Sequence, residues 1–136
     1  MNTLLATFVT GLVTDENESS RKRIISIPDS SKEEMYELTK KEFLRENGVH
    51  NGDTTKRTDV YNNLYRKMQK KDRLAAGYTL EKYERIYRQA FYDAAKKADP
   101  NWEIGKPIKD GALDSVTREL AESGKSPAQA TLDTKI

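Results

Sequence analysis

The sequence predicts a mostly helical α+β fold, and three observations carry that prediction. Two short β-branched segments near the N-terminus, 3–14 (TLLATFVTGLVT) and 22–27 (KRIISI), read as the strands of a hairpin. From about residue 31 to 98, apolar residues recur at helical spacing. Beyond 98 the periodicity gives way to a polar tail with one weak helical pattern.

Taking the elements in order, 3–14 breaks at Gly11, and a short buried helix is the rival to a strand there. The polar run DENESS at 15–20 makes a loop, and Pro28 stops the second strand. A two-stranded hairpin is marginal in water, so a helix should cover one face. Ser31 and Glu34 have capping-box spacing, which places the start of that helix. Met35, Leu38 and Phe43 form its apolar face, and Gly48 is a left-handed stop. A second helix is expected over Asp59–Ala76, with Val60, Tyr61, Leu64, Tyr65 and Met68 on its stripe and Gly77 at its end. Thr79 should cap a third, with Tyr78 and Tyr83 placed as a hydrophobic staple and Asp99-Pro100 closing it. The short connection at Gly77 folds the two back as an antiparallel pair. The link 99–112 holds two prolines, two glycines and the single tryptophan, and a short helix follows over 113–123. Ser126-Pro127 has the chemistry to start one more turn. The organisation is thus a hairpin-plus-helix unit at 1–48, a helical hairpin at 56–98 and an extended tail at 99–136.

Composition narrows the function classes. Hydrophobic residues make up 35% and charged residues 34% of the 136-residue chain, against about 45–50% and about 25% in an ordinary domain. The core is small, and much of the surface is available to solvent or a partner. There is no cysteine, so disulfide and thiolate chemistry are excluded. The N-terminal apolar run lacks a basic flank, and no run reaches the ~18–20 residues that span a bilayer. A cytoplasmic location is the expectation. His50 is the only histidine and lies in a turn-rich loop, where it reads as solvated rather than as a general base. Asp15-Glu16-Asn17-Glu18 lacks the alternation and central glycine of a calcium loop. No glycine-rich phosphate loop follows a strand. The expectation is a non-enzyme with no cofactor, no metal and no small-molecule substrate.

Charge is uneven. Residues 56–98 carry 12 Lys/Arg against 5 Asp/Glu, a net of +7, between flanks of −3 and −2. The same stretch holds six of the seven tyrosines. Arg66, Lys70 and Arg73 fall at helical i+3/i+4 spacing, with Lys67 and Lys71 beside them, and so predict one basic ridge. Arg85 and Arg88 add positive charge on the third helix. Tyr61, Tyr65, Tyr83 and Tyr87 lie on apolar stripes and read as core or half-core. Tyr36, Tyr92 and Trp102 lie off them and read as interface residues. Such a surface suits docking onto an acidic protein surface, with arginine and tyrosine as anchors. It also suits nucleic-acid phosphates, and the plain solvated face of an amphipathic helix accounts for the same charges.

The segments FVTGLV at 8–13, RKRIISIP at 21–28 and SSKEEMYELTKK at 30–41 resemble the small linker domain of phycobilisomes. The resemblance implies paired strands followed by a helix, a non-chromophore linker role within an antenna, and a thylakoid-peripheral location in a plastid stroma. Arg21 and Arg23 match the family's basic positions. The leading expectation is a structural or linker protein inside a larger assembly. A small nucleic-acid-binding protein is the alternative, and a phage or virion adaptor shares the physics of the first.

Overall fold

The computed structural model describes residues 22–50 and 55–123. Four helices follow in order: α1 Asp29–Arg45, α2 Thr55–Arg66, α3 Arg73–Ala98 and α4 Arg118–Glu122. A 3-10 turn, Lys70–Asp72, leads into α3. No strand occurs among the described residues, so the fold there is all-α and the expected α+β class is corrected. The first expected strand, 3–14, lies outside the described residues, as does Ser126-Pro127. The second, 22–27, is an extended strap on α3. The Ile25 N–H donates to the Thr79 hydroxyl at 3.0 Å, and Arg23 pairs with Asp72 at 3.3 Å. Ile25 and Ile27 turn inward while Ile24 and Ser26 stay exposed. A strap satisfies that period of two as well as a paired strand does. The hairpin strand that the linker resemblance implies at 21–28 is therefore not formed over its described part.

α1 starts two residues before the expected cap. Pro28 (φ −60°, ψ 141°) is its N-cap and accepts the Ser31 N–H at 3.1 Å. Ser31 is consequently buried inside the first turn, and the Ser31–Glu34 capping box does not form. Asp29 places negative charge in the first turn, where the helix dipole favours it. At the other end, Asn47 (φ 52°) and Gly48 (φ 85°) are both left-handed, and the Gly48 N–H returns to Phe43 O at 2.9 Å. This is Schellman-type closure at the expected stop.

The largest departure concerns the hinge between the long helices. α2 ends at Arg66, tightened by Lys67 and Met68 N–H bonds to Leu64 and Tyr65 carbonyls. Gly77, expected as the turn, is buried within the 26-residue α3. A Cβ there would lie 2.6 Å from Tyr65 Oη. Glycine is used for close approach of a neighbouring side chain, not to stop the helix. Thr79 is likewise internal, so neither the cap nor the Tyr78–Tyr83 staple is present. The antiparallel pairing itself is found: Tyr65 meets Gly77, and Arg57 meets Glu84 further along. α1 runs with α3, as Lys32–Tyr83, Tyr36–Tyr87 and Phe43–Phe91 contacts show.

Asp99 ends α3 in extended geometry before Pro100, as the sequence predicts. The segment after it is not an extended tail as far as Ser123. Leu113, Val116 and Ala121 join one core cluster that begins at Ile27. The last helix covers only Arg118–Glu122, capped by the Thr117 hydroxyl, which accepts the Leu120 N–H at 3.1 Å. Leu113 and Val116 reach the core from turns, which is why their spacing looks helical without forming a helix.

A glycine-to-alanine change inside a helix ordinarily stabilises by about 1 kcal/mol. Gly77→Ala should deliver less than that, or destabilise, because Tyr65 Oη must move. In a Tyr65→Phe background the next contact is 3.5 Å, an ordinary distance, and the gain should return. Urea denaturation of the four proteins in a double-mutant cycle measures the difference. Equal effects in both backgrounds would refute the close-approach account.

Candidate interaction surfaces

The basic ridge is an elbow. Arg66 closes α2 and bonds the Asn63 side-chain oxygen. Lys67 Nζ donates to Ser30 Oγ at 2.7 Å, tying the elbow to the start of α1. Lys70 and Lys71 lie exposed in the 3-10 turn. Arg73 opens α3 and donates through Nε to Tyr65 O at 3.1 Å. The i+3/i+4 relation of 66, 70 and 73 holds only along one continuous helix, and the helix breaks between them. The five cations still share one corner, and Asp72 is the sole carboxylate between 66 and 73. Arg23 reaches the same corner through its pair with Asp72. Two large apolar residues next to these in the chain are exposed, Ile24 after Arg23 at 60% and Leu74 after Arg73 at 64%. Arg21 lies outside the described residues.

Tyr36 and Trp102, expected at an interface, are interior. Tyr36 packs edge-on to Tyr87 at 5.3 Å, and its hydroxyl donates to Val116 O at 3.1 Å. Trp102 is buried against Phe43 and Tyr92, and its Nε1 donates to Lys106 O at 2.7 Å. Position off a helical stripe does not reveal burial when a later segment folds over that flank. Tyr87 is fully buried, as expected, and its hydroxyl donates to Glu122 Oε2 at 2.7 Å. Arg118 holds the same carboxylate at 2.6 Å and Glu33 at 3.0 Å, which fastens α4 to α1 and α3.

The remaining expected residues, Arg85, Arg88 and Tyr92, converge. With Phe43, Gly48, Gln89 and Ile104 they line a cleft of about 380 Å³. Positions 85, 88, 89 and 92 lie one turn apart along α3. Arg88 donates through Nη2 to Gly48 O at 2.9 Å, and its guanidinium sits 5.6 Å from the Phe43 ring centre. Burial draws the Arg88 pKa below its usual value, with Glu84 opposing that shift. Arg85 is exposed and pairs weakly with Glu81 at 3.5 Å. This grouping was readable from the one-turn spacing; the contribution of Ile104 was not.

Under the cleft is a buried ionic triad that the sequence reading missed. Arg57 on α2 meets Glu42 of α1 at 3.0 Å and Glu84 of α3 at 2.7 Å. All three side chains are about one-tenth exposed. A signal existed: Glu42 follows Met35 and Leu38 on an apolar face, and Glu84 stands between Leu80 and Tyr87 on another.

His50 is exposed, and among the described residues no group of His, Asp and Glu is arranged to hold a metal. No described helix is long and apolar enough to cross a membrane. Over the described residues the fold and its surfaces thus define a small all-helical domain with a basic elbow and a cationic cleft on the 26-residue α3. The chain belongs to the DUF3879 family, a domain of unknown function, whose family model matches residues 6–136. Comparison with curated proteins and with solved structures gave no significant match.

Removing Arg57 leaves two buried carboxylates without their partner. Arg57→Met should cost about 3–5 kcal/mol in urea unfolding, whereas the triple change with Glu42→Leu and Glu84→Leu should restore most of it. A single-variant loss below about 1 kcal/mol would show that the triad is not effectively buried.

Tyrosine ionisation gives the pH dependence. Burial raises the phenol pKa of Tyr36, Tyr61, Tyr65 and Tyr87 above 10.0, and at Tyr87 the Glu122 carboxylate raises it further. In the unfolded chain these groups ionise from about pH 10. The folded chain keeps them neutral, so stability is full below that pH and declines as pH rises above it. Melting curves between about pH 9 and 11 should show the decline, with a shallower slope in Tyr87→Phe. An unchanged slope would remove Tyr87 from the effect.

Proposed function

We propose that this domain is a non-catalytic docking module of a larger protein assembly, and that its elbow engages an acidic protein surface. One observation carries the reading: exposed Leu74 directly follows Arg73 at the elbow, and exposed Ile24 directly follows Arg23, which pairs with Asp72 there. An apolar centre with a charged rim is how protein interfaces are built. Arginine and lysine at the rim steer an acidic partner, while the apolar pair supplies the area removed from water. Phosphate binding uses the same cations but gives Ile24 and Leu74 no role. That difference separates the two readings, and the apolar pair favours the protein partner.

Lys70 and Lys71 make no side-chain bond among the described residues, so their reversal to glutamate leaves the fold intact. Leu74→Asp likewise alters an exposed side chain. The tagged chain should purify from its native cells in a complex that survives nuclease treatment. Both variants should lose that complex at low salt while keeping the wild-type melting temperature. A complex that disappears with nuclease would establish the nucleic-acid reading. Retention of the same protein complex by both variants would exclude the elbow as the docking site.

A further inference from the structure

Arg88 is a half-buried cation that forms no direct ion pair among the described residues. Among the described residues no carboxylate lies within ion-pairing distance of it, and the neighbouring Glu42 and Glu84 are engaged by Arg57. A guanidinium carries five N–H donors, and the protein bond made by Arg88 is the one to Gly48 O. Burial has removed hydration that this single carbonyl does not replace. Arg88 lines a cleft with a second arginine, the amide of Gln89 and no acidic residue. The other walls, Phe43, Tyr92 and Ile104, are apolar or aromatic, and Ile104 is more than half exposed.

We infer that this cleft receives the C-terminal carboxylate of a partner polypeptide whose last residue is apolar or aromatic. The carboxylate accepts two parallel N–H bonds from the Arg88 fork, with Arg85 as the outer cation. The terminal side chain packs on Phe43, Tyr92 and Ile104. A free small molecule needs most of its surface enclosed. This cleft lies open on the surface of α3, so it suits the end of a chain whose remainder continues outside. The inference goes beyond docking at the elbow and does not depend on it, because its residues and ligand chemistry are separate.

The test uses the full chain, labelled with nitrogen-15, and the tripeptide acetyl-Gly-Gly-Phe with a free carboxylate. Saturable shifts of the Arg88 Nε–H and the Ile104 amide are expected, with a dissociation constant of about 0.1–1 mM. The same tripeptide as its C-terminal amide should bind at least about tenfold more weakly, as should the free acid to Arg88→Met. Arg88→Lys keeps the charge but lacks the fork, so a loss of roughly severalfold is expected there even if Arg88→Met fails to fold. Equal binding of acid and amide overturns the inference. So does undiminished binding by Arg88→Lys, or no shift up to about 10 mM peptide. 3-Phenylpropionate binding as tightly as the tripeptide would make the ligand a small acid and overturn the chain-end assignment.

Discussion

The arrangement of the three long helices depends on the Arg57 triad. Glu42, Arg57 and Glu84 come from α1, α2 and α3, and each stands on a largely apolar face. At about 3 Å and an effective dielectric near 20, each contact is worth roughly 5 kcal/mol of Coulomb attraction. Taking the ions out of water costs several kcal/mol apiece. The two terms nearly offset, so the triad adds little net stability. What it adds is register. Sliding any helix by one turn, about 5.4 Å, would leave a buried charge alone at a cost of several kcal/mol, whereas apolar stripes alone tolerate such slips far better.

The same constraint produces the cleft. Arg88 lies one turn beyond Glu84 on α3, close enough to feel Glu84 and Arg57 without pairing with either. Because Arg57 engages both carboxylates, Arg88 is left with a backbone carbonyl and the face of Phe43. Trp102 completes the site from the other side. Its burial against Phe43 and Tyr92 draws the link back over α1, where the Gly105 N–H meets Asn47 O at 2.8 Å. Ile104 is thereby set as a wall of the cleft. Gly48 lets the link come this close: a Cβ there would stand 3.1 Å from the Trp102 ring, and its φ of 85° already requires glycine.

What was legible in the sequence follows from what local patterns encode. Apolar stripes placed Met35, Phe43, Leu64 and Tyr87 in the core, and each is there. Pro100 ended α3 and Gly48 closed α1, because both act through their own backbone geometry. Gly77 misled because glycine has two uses, and only the approach of Tyr65 from another helix decides between them. The strap at 22–27 misled because its alternation is real, while its hydrogen-bond partner, Thr79, is a side chain 54 residues away. Trp102 misled because the surface that covers it is formed by the link itself. For the candidate sites, charge was legible but geometry was not. Of the cations identified, those at 66–73 needed the helix break to become an elbow, and Arg88 needed the triad to be left without a direct ion pair among the described residues.

The elbow and the cleft lie along the same helix, so the two proposed sites could serve one partner. From Leu74 to Arg85 is eleven residues along α3, about 16 Å of rise and close to three full turns. The two positions therefore share a face of the helix. Between them lie Tyr78, with Lys82 stacked 5.3 Å from its ring, and the exposed pair Glu81–Arg85. An extended segment covers about 3.3 Å per residue, so about five residues reach from one site to the other. Under the two proposals together, a partner whose acidic tail ends in an apolar residue would meet the cations of the elbow first and deliver its terminus to Arg88. With the tail held at the elbow, capture at the cleft would be intramolecular, and a millimolar site would suffice because a tether raises the local concentration to about that range. Glu81 opposes an acidic tail on this path, and its pairing with Arg85 is the contact such a tail would have to displace.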